Sequence, residues 1–112
     1  MEKNIVVVRG DTFAFGMNFK GIGQNLDEAH FLVSDTFGSP FKIHLTIGSG
    51  ITLVDSQGDD RLYRVVATPA QTYFAPGAGV YNYSCKVKIS GAEYTLLHGK
   101  ATFVDVVEEG NS

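Results

Sequence analysis

Residues 79–90, GVYNYSCKVKIS, alternate with a period of two. Tyr81, Tyr83, Cys85, Val87 and Ile89 share one side of an extended ribbon, and Val80, Asn82, Ser84, Lys86 and Lys88 share the other. A helix would scatter both sets around its circumference, so this stretch is a β-strand with one packed and one wet face. The pattern recurs along the chain. In DTFAFGMNFKG, Phe13, Phe15, Met17 and Phe19 oppose Ala14, Gly16, Asn18 and Lys20; in PFKIHLTIG, Phe41, Ile43, Leu45 and Ile47 point inward against Lys42, His44 and Thr46. Helical periodicity occurs nowhere at length, and 13 glycines against three prolines fall at the ends of the alternating runs, as turns between strands require.

Shorter strands read from AHFLVSD, ITLVD and RLYRVVA, separated by the polar GQNLDE loop and the turns DTFGSP and DSQGDD. A hairpin around SGAE leads into a final strand over residues 94 to about 107, and Gly99 inside it predicts a bulge. Thr68, Pro69 and Gln71 stand in the order N-cap, first helical residue and capping-box partner, which predicts one helical turn ended by Pro76 and Gly77. Seven or eight short strands with a turn signal roughly every 8–12 residues predict an antiparallel, immunoglobulin-like β-sandwich, all-β apart from this turn in the E–F connection.

In such a sandwich a tyrosine at the start of strand F turns its hydroxyl back onto the backbone a few residues upstream and locks the corner. Tyr81 holds that position, Tyr83 and Cys85 continue the inner face, and the tyrosines are therefore architecture rather than chemistry. The runs IVVV and FVDVV are apolar on both sides. They fit a first strand lying beside the last at the seam between the sheets, or a strand that pairs with a neighbouring molecule.

A length of 112 residues supports one domain, with an ordered core over residues 3–108 and a short polar C-terminal tail. A net charge of -3 without a Lys/Arg cluster lacks the electrostatic footprint of nucleic-acid or membrane-surface partners. Ile5 to Val8 is the one apolar run near the N-terminus, too short for a signal peptide or a membrane span. A single cysteine forms no internal bridge, as expected of a chain made in a reducing cytoplasm.

Reactive constellations are absent from the pattern. Arg9-Gly10-Asp11 reads as a strand-ending turn rather than an adhesion tripeptide, and GIGQNL lacks the third glycine and the helix of a dinucleotide loop. His30, His44 and His98 have no ligand spacing, Asp55, Asp59 and Asp60 read as a solvated hairpin turn, and no nucleophile elbow occurs. No catalytic, cofactor-binding or metal-binding residue is assigned. Four aromatics lie off the inner faces, Tyr63, Tyr73, Phe74 and Tyr94, and at an edge or in loops they would contact a partner protein or a sugar ring.

Three stretches, RGDTFAFGMNFKG, VDSQGDDRLYRVVATPAQTYFAPGAGVYNYSCKVKI and GAEYTLLHGKATFVDVVEE, resemble the immunoglobulin-like domain of upper baseplate proteins and related virion proteins of tailed bacteriophages. The matching features are Gly10 and Asp11 after the first strand, Gly79, Tyr81 and Tyr83 opening strand F, and a closing Thr95, Leu96, Leu97 with Gly99. The resemblance implies a non-enzymatic structural protein of the virion (baseplate, tail, neck or head surface) made in the bacterial host cytoplasm as a stand-alone subunit. Other virion proteins and copies of itself, in a symmetric homo-oligomer, are the implied partners. The alternative on the same fold is a carbohydrate-binding or host-surface adhesion module.

Overall fold

Alternation and turn punctuation place eight strands in the computed structural model, which describes residues 2–35, 41–73 and 77–105. They are β1 (Ile5–Val8), β2 (Phe13–Phe19), β3 (Glu28–Ser34), β4 (Phe41–Ile47), β5 (Gly50–Asp55), β6 (Arg61–Ala67), β7 (Gly79–Ile89) and β8 (Ala92–Val104), with one helical turn, α1 (Pro69–Thr72), between β6 and β7. Their hydrogen-bonded order is β1-β8-β7-β3-β4-β5-β6-β2. Between β4 and β5 that order rests on two residue pairs, Thr46 with Gly50 and Ile47 with Ile51, at a corner where Gly48 and Gly50 take positive φ of 88° and 100°.

At this corner the run folds back on itself. Phe31 of β3 then meets Phe13 and Phe15 of β2, with ring centroids 6.2 and 5.7 Å away, and Cys85 Sγ of β7 lies 3.4 Å from Met17 Sδ of β2. None of these strands is hydrogen-bonded to β2, so the contacts cross between layers. The layers are five strands (β1, β8, β7, β3, β4) and three (β5, β6, β2) over one core: the immunoglobulin-like β-sandwich that the alternation predicts. Pairing is not wholly antiparallel. β1 runs parallel to β8, from Ile5 opposite Ala101 to Val8 opposite Val104, and the short β4–β5 contact is parallel as well. The first strand thus lies beside the last and buries Val7, whereas Val6 on the opposite face stays 67% exposed, so the pairing explains only one side of the IVVV run.

The E–F corner closes as its residues predict. Thr68 caps α1, its hydroxyl accepting from Gln71 N while the Gln71 side chain accepts from Thr68 N. The turn ends at Thr72, earlier than Pro76 and Gly77, and the Thr72 hydroxyl, within reach of both Pro69 O inside the turn and Asp11 O, accepts from Gly10 N and ties this end to the segment after β1. Pro76 lies outside the described residues, as do the β8 extension toward residue 107 and the polar tail. Tyr81 donates from its hydroxyl to Gly77 O over 2.6 Å, and its ring meets Phe103 edge-on. Tyr81→Phe is expected to keep the fold and cost about 1–2 kcal/mol, because the carbonyl of buried Gly77 loses its donor. Chemical denaturation measures this, and a variant as stable as the parent would show that the corner needs no hydroxyl.

Two core expectations need correction. Phe41 and Ile47 are 46% and 40% exposed, because both stand at the ends of β4, past the reach of the facing layer, while Ile43 and Leu45 between them are buried. The register shift in the β7–β8 hairpin lies at Cys85/Lys86, where Leu96 is skipped, and not at Gly99, which stays in register opposite Tyr83. At Gly99 the reason for glycine is instead a close backbone approach. A Cβ there would sit 2.6 Å from Lys3 O.

Candidate functional site

Among the described residues the strand order ends at β1 and β2, each with one edge wholly unpaired, while β4 and β5 share only the two pairs at their corner. Among the described residues β2 pairs with β6 alone. Along Phe13–Phe19 it carries no charge, no proline and no register shift, the devices by which sheet proteins blunt an exposed edge. Its inward side chains show the consequence. Met17 is buried, whereas Phe13, Phe15 and Phe19 are only half-buried, since among the described residues no strand lies along the far edge of β2.

Between the two layers on this side runs an apolar groove. One stretch, of about 340 Å³, is lined by Lys3, Ile5, Phe13, Phe15, Gly16, Phe31, Tyr83 and Leu97. A second, of about 310 Å³, shares Phe15, Gly16 and Leu97 and continues past Met17, Asn18, Phe19 and Leu96. The groove therefore follows the whole unpaired edge of β2, so that an added strand would find backbone partners and a place for alternate apolar side chains together.

The aromatics singled out in the sequence do not gather into one site. Tyr63 is a correction: it is 2% exposed in the middle of β6, and its hydroxyl accepts from Leu26 N over 2.9 Å. RLYRVVA offers two faces of similar polarity, and only the strand's place between β2 and β5 decides which one turns inward. Tyr73 and Tyr94 are exposed, at 61% and 51%. They occupy opposite ends of the sandwich: Tyr73 is near the start of β7, whereas Tyr94 pairs with Val87, eight residues beyond Gly79. At about 3.3 Å per residue that stretch of β7 spans roughly 26 Å, so the two rings stand at different ends and do not form one platform. Phe74 lies outside the described residues.

The tripeptide Arg9-Gly10-Asp11 is tied down at its Arg9 side chain and its backbone, although Gly10 and Asp11 are exposed. The Arg9 guanidinium pairs with Asp105 and stacks 4.2 Å over the Tyr73 ring, while Gly10 N and Asp11 O both bond the Thr72 hydroxyl. The acidic hairpin is also engaged. Asp60 accepts from Gly21 N over 2.9 Å, and that hydrogen bond, with the charges of Lys20 and Arg61, holds its carboxyl below the usual range. Tyr83 sends its hydroxyl to Lys3 O and clamps the N-terminal segment. Burial pushes the Cys85 thiol up to about 11, which suits a small core hydrophobe and not a nucleophile.

On the outer face of the five-stranded layer the structure brings together two histidines that the sequence treats as separate. His30 Nδ1 lies 3.1 Å from His44 Nε2, and His30 Nε2 lies 3.1 Å from Glu28 Oε1. The His30 hydrogen bond and the Lys88 charge hold the Glu28 carboxyl below its ordinary range. Strand pairing makes the meeting, since His30 stands opposite Thr46 and His44 is therefore its diagonal neighbour. Among the described residues no group of three or more His, Cys, Asp or Glu is arranged around a common metal position, and no helix is long and apolar enough to cross a membrane.

No family model matches the chain, and no curated protein does. Two solved structures are similar in outline. One is from a photo-crosslinking study of multimeric cell-adhesive interactions of voltage-gated sodium channel (VGSC) beta subunits, 11% identical, covering 96% of this chain and 93% of the other at a TM-score of 0.45. The second comes from parallel homodimers of the extracellular domains of the voltage-gated sodium channel beta4 subunit, 12% identical, with 95% and 93% covered at a TM-score of 0.42. The fold of this chain is defined by its own strand order and register and not by these likenesses.

Proposed function

We propose that the protein is a non-enzymatic assembly component of a tailed-bacteriophage virion, in its baseplate, tail, neck or head surface, and that it docks by its open sheet edge. The observation that carries this reading is the unprotected β2 edge lying along an apolar groove. Family resemblance in RGDTFAFGMNFKG, in the Gly79, Tyr81, Tyr83 opening of β7 and in the closing strand supports the virion context. Mechanistically, a strand of a neighbouring subunit pairs with β2 while its inward side chains enter the groove. Repeated around a symmetry axis, one modest interface per copy closes a ring.

The test is a pair of lysines on the solvent side of the edge. Ala14→Lys with Asn18→Lys is expected to leave thermal stability nearly unchanged, both sites being exposed, and to abolish self-association at high concentration and capture of virion proteins. Undiminished association would remove β2 from the interface.

Exposure of Tyr73 and Tyr94 favours a second reading, a carbohydrate-binding or host-surface adhesion module. Their separation requires each ring to act in its own site. A glycan array on Tyr73→Ala and Tyr94→Ala decides between the readings: loss of sugar binding with assembly intact would reverse their order.

A further inference from the structure

A pair of imidazole nitrogens 3.1 Å apart is a hydrogen bond when His44 Nε2 carries its proton and the mouth of a chelate when that proton sits on Nδ1, and Glu28 prepares His30 for either. Glu28 Oε1 is an acceptor, so the proton of a neutral His30 belongs on Nε2, where the carboxylate takes it. The Nδ1 lone pair of His30 is thereby turned toward His44 Nε2. A carboxylate behind a histidine, fixing its tautomer and raising its basicity, is the usual outer partner of metal-bound imidazole. The spacing also fits: with bonds of about 2.0–2.1 Å, nitrogens at this separation subtend about 100° at a metal, between the square and tetrahedral angles. Both rings are reachable from solvent, His30 with its side chain 32% exposed and His44 on the exposed surface of β4.

We propose that two ligands, His30 Nδ1 and His44 Nε2, form a surface site for a divalent transition-metal ion of the zinc, copper or nickel type, with Glu28 outside the coordination as the hydrogen-bond partner of His30. Water or a donor from another molecule completes the coordination. The surrounding groups limit its strength. Lys86 stands opposite His30 on β7, and Lys88 pairs with Glu28 over 3.8 Å, so two ammonium groups lie near the cation and one carboxylate offsets them. Two protein ligands and this charge balance define an exchangeable site rather than a structural one. Its place on the outer face of β3 and β4 sets it apart from the β2 edge, so its outcome and that of the assembly reading are independent.

Zinc chloride titrated into the untagged full-length chain at mildly alkaline pH tests the site. Calorimetry is expected to give one ion per chain, and the imidazole resonances of His30 and His44 should move while those of His98, on β8, stay still. His44→Gln should abolish binding with an unchanged circular-dichroism spectrum, and Glu28→Gln should weaken it about tenfold or more. No zinc-dependent shift, an equal shift at His98, an identical response to magnesium chloride, or unchanged affinity in His44→Gln would each overturn the proposal and leave the pair as a hydrogen bond alone.

Discussion

Tyr63→Ala is expected to destabilise the domain by about 4 kcal/mol, a large share of the roughly 5–15 kcal/mol by which such domains are stable. The residue stands opposite Met17 on β2 and Leu53 on β5, at the centre of the three-stranded layer, and its ring meets Phe19 edge-on at 6.0 Å. Truncation leaves a cavity that strand backbones on both sides keep from collapsing. Removing only the hydroxyl separates packing from hydrogen bonding. In Tyr63→Phe the amide of buried Leu26 loses its acceptor, for a cost of about 1–3 kcal/mol and a melting temperature lower by roughly 5–15 °C. Thermal and urea unfolding followed by circular dichroism measure both. A Tyr63→Phe protein that melts with the parent would mean that the loop before β3 does not depend on this bond.

Much of the fold is legible in the sequence wherever one face of a strand is decided locally. Residues 79–90 and 13–19 alternate apart from Val80 and Ala14 on the outer side, and the structure makes β7 and β2 of them with the predicted sides inward, Ser84 on the outer side of β7 being buried as well. Thr68, Pro69 and Gln71 specify α1 through contacts three residues apart, which is why the cap is readable and its end is not. At that end Thr72 reaches Asp11 across 61 positions of sequence, a contact no local pattern announces. Tyr63 fails for the same physical reason. RLYRVVA carries one arginine on each side, Arg61 and Arg64, so its inner face is fixed by which strands flank it.

The candidate site is less legible because an edge is a property of strand order. Phe13, Phe15 and Phe19 read as an inner face, and they are one; that the strand carrying them has a single partner follows only once β6 is beside it and β1 has gone to β8. The groove is the physical remainder of that choice. β1 crosses to the five-stranded layer and leaves the phenylalanines of β2 half-covered, so the apolar surface available for docking arises from the same step that seats IVVV beside β8. The His30–His44 contact is diagonal between paired strands and needs the β3–β4 register, which no local pattern supplies.

Seating β1 beside β8 depends on one glycine, and Gly99→Ala is expected to release it. Gly99 has φ +152°, which residues with a side chain rarely adopt, and its missing Cβ would lie 2.6 Å from Lys3 O and 3.0 Å from Asn4 Oδ1. Backbone is the obstacle, so no rotamer change relieves the clash; the segment before β1 must move. That segment is held by Lys3 N to His98 O at 2.8 Å, Lys100 N to Asn4 Oδ1 at 3.0 Å and the Tyr83 hydroxyl on Lys3 O. Strain of about 1–3 kcal/mol and the loss of these hydrogen bonds, worth about 1 kcal/mol each, place the cost at roughly 4–6 kcal/mol. Hydrogen exchange localises it: amides of β1 and its partners on β8 should lose protection, while β3 and β4 keep theirs. Tyr83→Phe alone is expected to cost about 1 kcal/mol through the same carbonyl. Because both changes act on Lys3 O, the double variant should cost less than their sum, whereas strict additivity would place the damage of Gly99→Ala elsewhere in β8.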